Sequence, residues 1–125
     1  MSKMQDIATS AAEKRAEGYE FEVVMGSPTL LTIDLDTEDA IAAFDKRLEI
    51  LQQRIACRRL DCWPSKNGGQ HVVVILDVPM DWQKRAMFQA FLGSDPTREL
   101  LGYFNVNNKG SEPFCLFKPK GRELA

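Results

Sequence analysis

Histidine is almost missing from this sequence: 125 residues include one, His71, so chemistry that needs paired imidazoles is excluded. Cysteine is scarce as well. Cys57, Cys62 and Cys115 are odd in number and form no Cys-x-x-Cys pair, which argues against a disulfide framework and suits a reducing compartment. On a strand over 57–63, Cys57 and Cys62 have opposite parity and point to opposite faces, so a zinc ion shared with His71 is geometrically awkward, and the cysteines read as core fillers. Excess positive charge is lacking too: with a formal net charge of -2, no global field draws the chain to nucleic acid. Local clusters at Arg58 and Arg59, at Lys66, at Lys84 with Arg85, and in the tail KPKGREL are the candidates for such contacts, each more simply read as solvated surface. No apolar run approaches the ~18 residues that span a bilayer, so no membrane partner is expected. The N-terminal stretch lacks the apolar core of a signal peptide, which makes a cytoplasmic location the expectation.

What is present fits a single domain. The chain is 44% hydrophobic and 27% charged, an ordinary globular balance, and its length suffices for one core but not two. Residues 1–18 carry helix formers without an apolar stripe and read as an N-terminal arm or short helix, leaving 19–125 as one α+β domain. YEFEVVM, 19–25, alternates Phe21, Val23 and Met25 as a flanking strand ended by GSP. TLLTIDLD, 29–36, sets Leu31, Ile33 and Leu35 on one face and Thr32, Asp34 and Asp36 on the other. Thr37 is placed to cap a helix whose Ile41, Phe44, Leu48, Leu51 and Ile55 recur at helical spacing. CRRLDCWP and HVVVILDV read as a hairpin across the turn SKNGGQ. Asp81 caps a second helix ended by Gly93, and Asp95 with Pro96 opens a further short one. NVNNKGSE reads as a loop and EPFCLF as the last strand.

From residue 29 the order is β-α-β-β-α-(α)-β, that of a split βαβ, ferredoxin- or RRM-like palm: an antiparallel sheet with helices on one face and the other face open. In that topology the first and third strands are central antiparallel neighbours, which carries Asp34 and Asp36 toward His71. Parity agrees, since Val72, Val74 and Leu76 join the apolar face while His71, Val73, Ile75 and Asp77 take the open one. Asp77 lies about 20 Å from His71 at roughly 3.3 Å per residue and falls outside the cluster.

Carboxylates two apart on a strand project in parallel, about 6 to 7 Å apart at the backbone, and can jointly hold a hard divalent cation through oxygen, Mg²⁺ or Mn²⁺. The bland alternative is a turn or cap device, with Asp36 capping the following helix. In SKNGGQH, Ser65, Lys66, the glycine backbone and His71 together can cradle phosphate oxygens, against the competing reading of an ordinary hairpin turn.

TIDLD followed by SKNGGQH at the head of a strand resembles the first two motifs of the archaeo-eukaryotic primase superfamily, the primase-polymerases of plasmids, phages, archaea and eukaryotes. The resemblance implies that Asp34 and Asp36 are catalytic metal ligands. It implies that Ser65, Gly69 and His71 form the second motif, with the histidine at the phosphates of the incoming nucleotide and Lys66 nearby. The third motif, an acidic residue after an apolar stretch, corresponds to Asp95 in FLGSDPTREL, with Arg98 as a phosphate or template contact. For Asp95 a plain helix cap is the equal alternative.

The function so implied is that of a metal-dependent nucleotidyltransferase, a minimal DNA primase or polymerase of phage or plasmid replication. Its cofactor would be Mg²⁺ or Mn²⁺, and its partners a nucleoside triphosphate, a single-stranded or primed template, and a replication protein supplying what so short a chain lacks. The alternative is a non-catalytic, primase-like accessory module that binds nucleotide, single-stranded nucleic acid or a host protein. Against nucleic-acid binding on the bare sheet, the open face carries aspartates and few aromatics, a poor platform for stacking bases. A rolling-circle initiator nuclease uses a related sheet but needs the paired histidines missing here.

Overall fold

A computed structural model of the protein describes residues 21–66, 68–109 and 112–119. The arm expected over 1–18 lies outside the described residues. The elements run β1 (Phe21–Met25), β2 (Leu30–Leu35), α1 (Glu38–Gln52), β3 (Cys57–Pro64), β4 (Gln70–Leu76), α2 (Trp82–Phe91), α3 (Pro96–Lys109) and β5 (Cys115–Pro119). The α+β class is as expected. Among the described residues no helix is long and apolar enough to cross a membrane.

Capping chemistry starts the helices where the sequence places the starts. Thr37 Oγ1 accepts the Ala40 N–H at 3.1 Å, and Glu38 and Asp39 follow in the first turn, where the helix dipole favours negative charge. Asp81 Oδ1 does the same for Lys84 N–H at 2.8 Å at the head of α2. Gly93, with φ +105°, turns the chain out of α2 in a conformation that a side chain disfavours. α3 begins at Pro96 and runs through Lys109, so most of the segment expected as a loop is helical. Asparagine is a mediocre rather than a forbidden helix residue, and a helix already nucleated at Asp95 and Pro96 continues through three of them.

β2, β4 and β3 form an antiparallel sheet in that order, and α1 covers one face of it. Leu31, Ile33 and Leu35 from β2, Val72, Val74 and Leu76 from β4, Phe44, Leu48 and Leu51 from α1, and Leu92 after α2 make the main core. Each fully buried side chain of this size contributes about 1.5 to 3 kcal/mol against exposure, so the alternation in TLLTIDLD fixes which way β2 faces.

Among the described residues the fourth strand of a split βαβ sheet is not found beside β2. The last strand, β5, pairs antiparallel with β1 in a separate two-stranded ribbon instead of adding to β2. The outer edge of β2 is occupied by side chains and one backbone N–H from the α2–α3 region. Gln89 Oε1 accepts Thr32 N–H at 3.0 Å, Arg98 Nη1 donates to Thr32 O at 2.8 Å, Ser94 Oγ accepts Asp34 N–H at 3.0 Å, and Asp95 N–H donates to Asp34 O at 2.8 Å. An edge so saturated offers nothing for a fourth strand to pair with.

The sheet face expected to be open is covered by the ribbon. Leu116 of β5 and Val24 of β1 pack with Trp63, Val73 and Leu30 in a second, smaller core, and Val73 is buried rather than exposed.

Two further expectations change. A bulge between Arg59 and Asp61 restores Cys57 and Cys62 to one face, opposite Leu76 and Val72, but four β4 positions, roughly 13 Å, apart and across the sheet from His71. Burial and the charge of Asp77 also push the Cys57 thiol up, the wrong direction for a zinc thiolate. Arg85, counted above as surface charge, is buried, with its guanidinium forked onto Glu112 at 3.0 and 2.9 Å and its Nε on Met80 O at 3.2 Å.

Candidate metal centre

Antiparallel register puts Asp34 directly opposite His71, and Trp63 of β3 opposite His71 on its other side. The strand parity that buries Leu31, Ile33 and Leu35 leaves Asp34 on the far face, and Asp36 follows just past the end of β2. Asp95 arrives from a distant part of the sequence, held by the backbone bond from its N–H to Asp34 O. Asp34, Asp36 and Asp95 each present a carboxylate oxygen within 4.8 Å of the others. Asp95 Oδ1 also accepts Thr97 N–H at 3.2 Å, as the cap of α3.

Electrostatics within the trio are uneven. Burial pushes the Asp34 carboxyl up, but contact with His71 and the nearby charge of Arg98 outweigh it, and the group is held below the ordinary carboxylate range. Asp36 goes the other way: partial desolvation, then the charge of Asp34 and that of Asp95, push its carboxyl up. Asp36 is exposed to water, so this crowding is screened and its energetic scale is small.

A carboxyl raised above its value in the unfolded chain weakens the fold as pH rises through the raised value. Asp36→Asn is therefore expected to stabilise the metal-free protein at neutral pH by on the order of 0.5 kcal/mol while reducing stabilisation by added Mn²⁺. Paired thermal melts with and without Mn²⁺ check both signs; a lower melting temperature of the metal-free variant would contradict the repulsion.

One atom in the cluster lacks a hydrogen bond. Asp34 Oδ1 is buried and has no aligned donor, although His71 Nε2 lies 3.3 Å away with its own side chain only 15% exposed. His71 Nδ1 lies 3.3 Å from the Phe117 carbonyl, which also accepts Trp63 Nε1–H at 3.0 Å. Both imidazole nitrogens thus face acceptor oxygens. The ring expected at the phosphates lies between Asp34 and the Phe117 carbonyl of β5.

Gly69, with Ser65 beside it, lies against the end of β2. A Cβ on Gly69 would run into Leu35 O and stand 3.1 Å from Ser65 Oγ and 3.3 Å from Asp36 Cα, so this glycine serves close approach of backbone to backbone. Gly69→Ala is expected to cost about 1 to 3 kcal/mol by forcing the turn off β2, read as a lowered urea midpoint. Ser65 is half-buried beside Gly69, and Lys66 is exposed on the turn.

Arg98, expected as a phosphate or template contact, lies near enough for its charge to act on Asp34. Its donors are taken up by Thr32 O, Thr32 Oγ1, Ser94 Oγ, Glu99 and Cys115 O. Sequence reasoning missed Trp63 and Ser94. Counting hairpin register back from the turn would have placed Trp63 opposite His71, whereas nothing local marks Ser94.

The three carboxylates are a hard, anionic oxygen set of the kind that could hold a divalent cation, and Asp34 Oδ1 is a buried oxygen without a hydrogen-bond donor. No family model matches the chain, and neither characterised proteins nor solved structures give a significant match.

Proposed function

We propose that this protein is a divalent-metal-dependent nucleotidyltransferase of the primase-polymerase kind, acting in the cytoplasm on a nucleoside triphosphate and a single-stranded or primed template. The observation that carries the reading is the meeting of Asp34 and Asp36 with Asp95, three carboxylates from segments some sixty residues apart whose oxygens lie within 4.8 Å of one another. Bound Mg²⁺ or Mn²⁺ would supply a lowered pKa for an attacking hydroxyl and neutralisation of the developing pyrophosphate charge. Asp34, Asp36 and Asp95 would hold it, His71 would orient Asp34, and Ser65 and Lys66, near Gly69, would contact the triphosphate. Arg98 has no substrate role in this scheme.

The test is incorporation of labelled nucleotide on primed and unprimed single-stranded templates with Mg²⁺ or Mn²⁺. Product that depends on the metal supports the reading, and metal-independent product or none under any condition contradicts it.

A second reading, an accessory module that docks on a host or replication protein, is favoured by one feature. α3 exposes Leu100, Leu101, Tyr103 and Phe104, each more than 40% accessible, on one helix. That role needs no metal, so it is separated from the first by the same assay.

A further inference from the structure

The third carboxylate stands apart from the other two in how it is placed. Asp34 lies on β2 and Asp36 just past its end, two residues on, so their spacing is set by the backbone. Asp95 belongs to the turn between α2 and α3, and its distance from Asp34 depends on how that turn is held against the β2 edge.

One half-buried side chain, that of Arg98, ties those parts together. The Arg98 fork reaches β2 at Thr32 O and Thr32 Oγ1, both at 2.8 Å, the turn at Ser94 Oγ at 3.3 Å, and β5 at Cys115 O at 3.0 Å. Its charge is balanced by Glu99 at 2.6 Å, which in turn accepts Gln89 Nε2–H at 2.7 Å, and Gln89 closes the loop on Thr32 N–H. Ser94 Oγ, one of the atoms Arg98 holds, accepts the N–H of Asp34, whose own carbonyl receives Asp95 N–H. Two or three bonds therefore separate the guanidinium from each of two metal ligands, yet it touches neither carboxylate in a hydrogen bond.

We propose that Arg98, acting through Ser94, is the positioning residue for the third metal ligand, fixing Asp95 against Asp34 from the edge of β2. The inference rests on the metal reading above and adds to it the residue that sets the geometry of the site. Lysine at 98 would keep the charge but lose the planar fork that reaches two strands and a turn at once.

The experiment is a double-mutant cycle on Mn²⁺ affinity, read from loss of the free-ion electron paramagnetic resonance signal, with wild type, Asp95→Asn, Arg98→Lys and the double variant. Thermal melts establish that each is folded at the titration temperature. Arg98→Lys and Asp95→Asn are each expected to weaken Mn²⁺ binding by about tenfold, the usual scale for groups that orient a ligand, and the double variant by little more than either alone. Should Arg98→Lys fail to fold, Ser94→Ala takes its place in the same cycle, with the same non-additivity expected. Additive losses, or an Arg98→Lys affinity equal to wild type, overturn the positioning role alone. Absence of Mn²⁺ binding by the wild type overturns that role together with the metal reading on which it rests.

Discussion

Replacing both Asp34 and Asp36 by asparagine is expected to lower metal-dependent nucleotide incorporation by on the order of 10³-fold or more, the scale set by losing preorganised charge at a reacting phosphate. The fold should survive. Asparagine is nearly isosteric, Asp36 is exposed, and the two bonds that tie Asp34 to the α2–α3 turn come from its backbone N–H and C=O rather than its carboxylate. Near-ultraviolet circular dichroism of the double variant should therefore overlay that of the wild type. Incorporation undiminished in a correctly folded double variant would remove these aspartates from the chemistry.

The largest effect on stability is expected from Arg98→Met, about 3 to 5 kcal/mol, a substantial part of the 5 to 15 kcal/mol that typically holds a domain together. Methionine fills much of the same volume but leaves Glu99, 6% exposed, buried without its cation, and strips donors from Thr32 O and Cys115 O. Urea unfolding at pH 7 measures the loss, and adding Glu99→Gln to Arg98→Met should recover part of it by removing the orphaned charge.

The pH dependence of the wild type carries the same signature. Burial pushes the Glu99 carboxyl above its ordinary value of 4.5, against the opposing pull of Arg98, Ser94 and Gln89. The folded state therefore binds more proton than the unfolded chain from 4.5 up to the raised value, and the contribution of Glu99 to stability falls as pH rises across that window. Glu99→Gln should flatten the stability curve there.

Much of the site was legible because it depends on local rules. Alternation in TLLTIDLD fixed the face of Asp34, the β-β turn fixed the direction of β4, and together they brought Asp34 opposite His71. The caps at Thr37, Asp81 and Asp95 follow from side-chain oxygens ahead of apolar periodicity.

What escaped depends on long-range competition. Whether β5 pairs with β2 or with β1 turns on which groups claim the β2 edge. The claimants Gln89, Ser94 and Arg98 are polar residues that pattern reading assigns to solvent. The single-residue bulge before Asp61 inverts parity for everything N-terminal to it in β3, and no sequence feature there announces it. The covered sheet face follows from the same strand exchange: once β5 leaves the edge, the β1–β5 ribbon lies over Trp63 and Val73.

Anomalous scattering from a crystal soaked in Mn²⁺ tests the central claim most directly. The expected result is a peak bounded by the carboxylates of Asp34, Asp36 and Asp95, lost in the asparagine double variant. A map of a well-ordered crystal with no peak among those three groups, at Mn²⁺ concentrations well above those that support binding in comparable carboxylate sites, would contradict it.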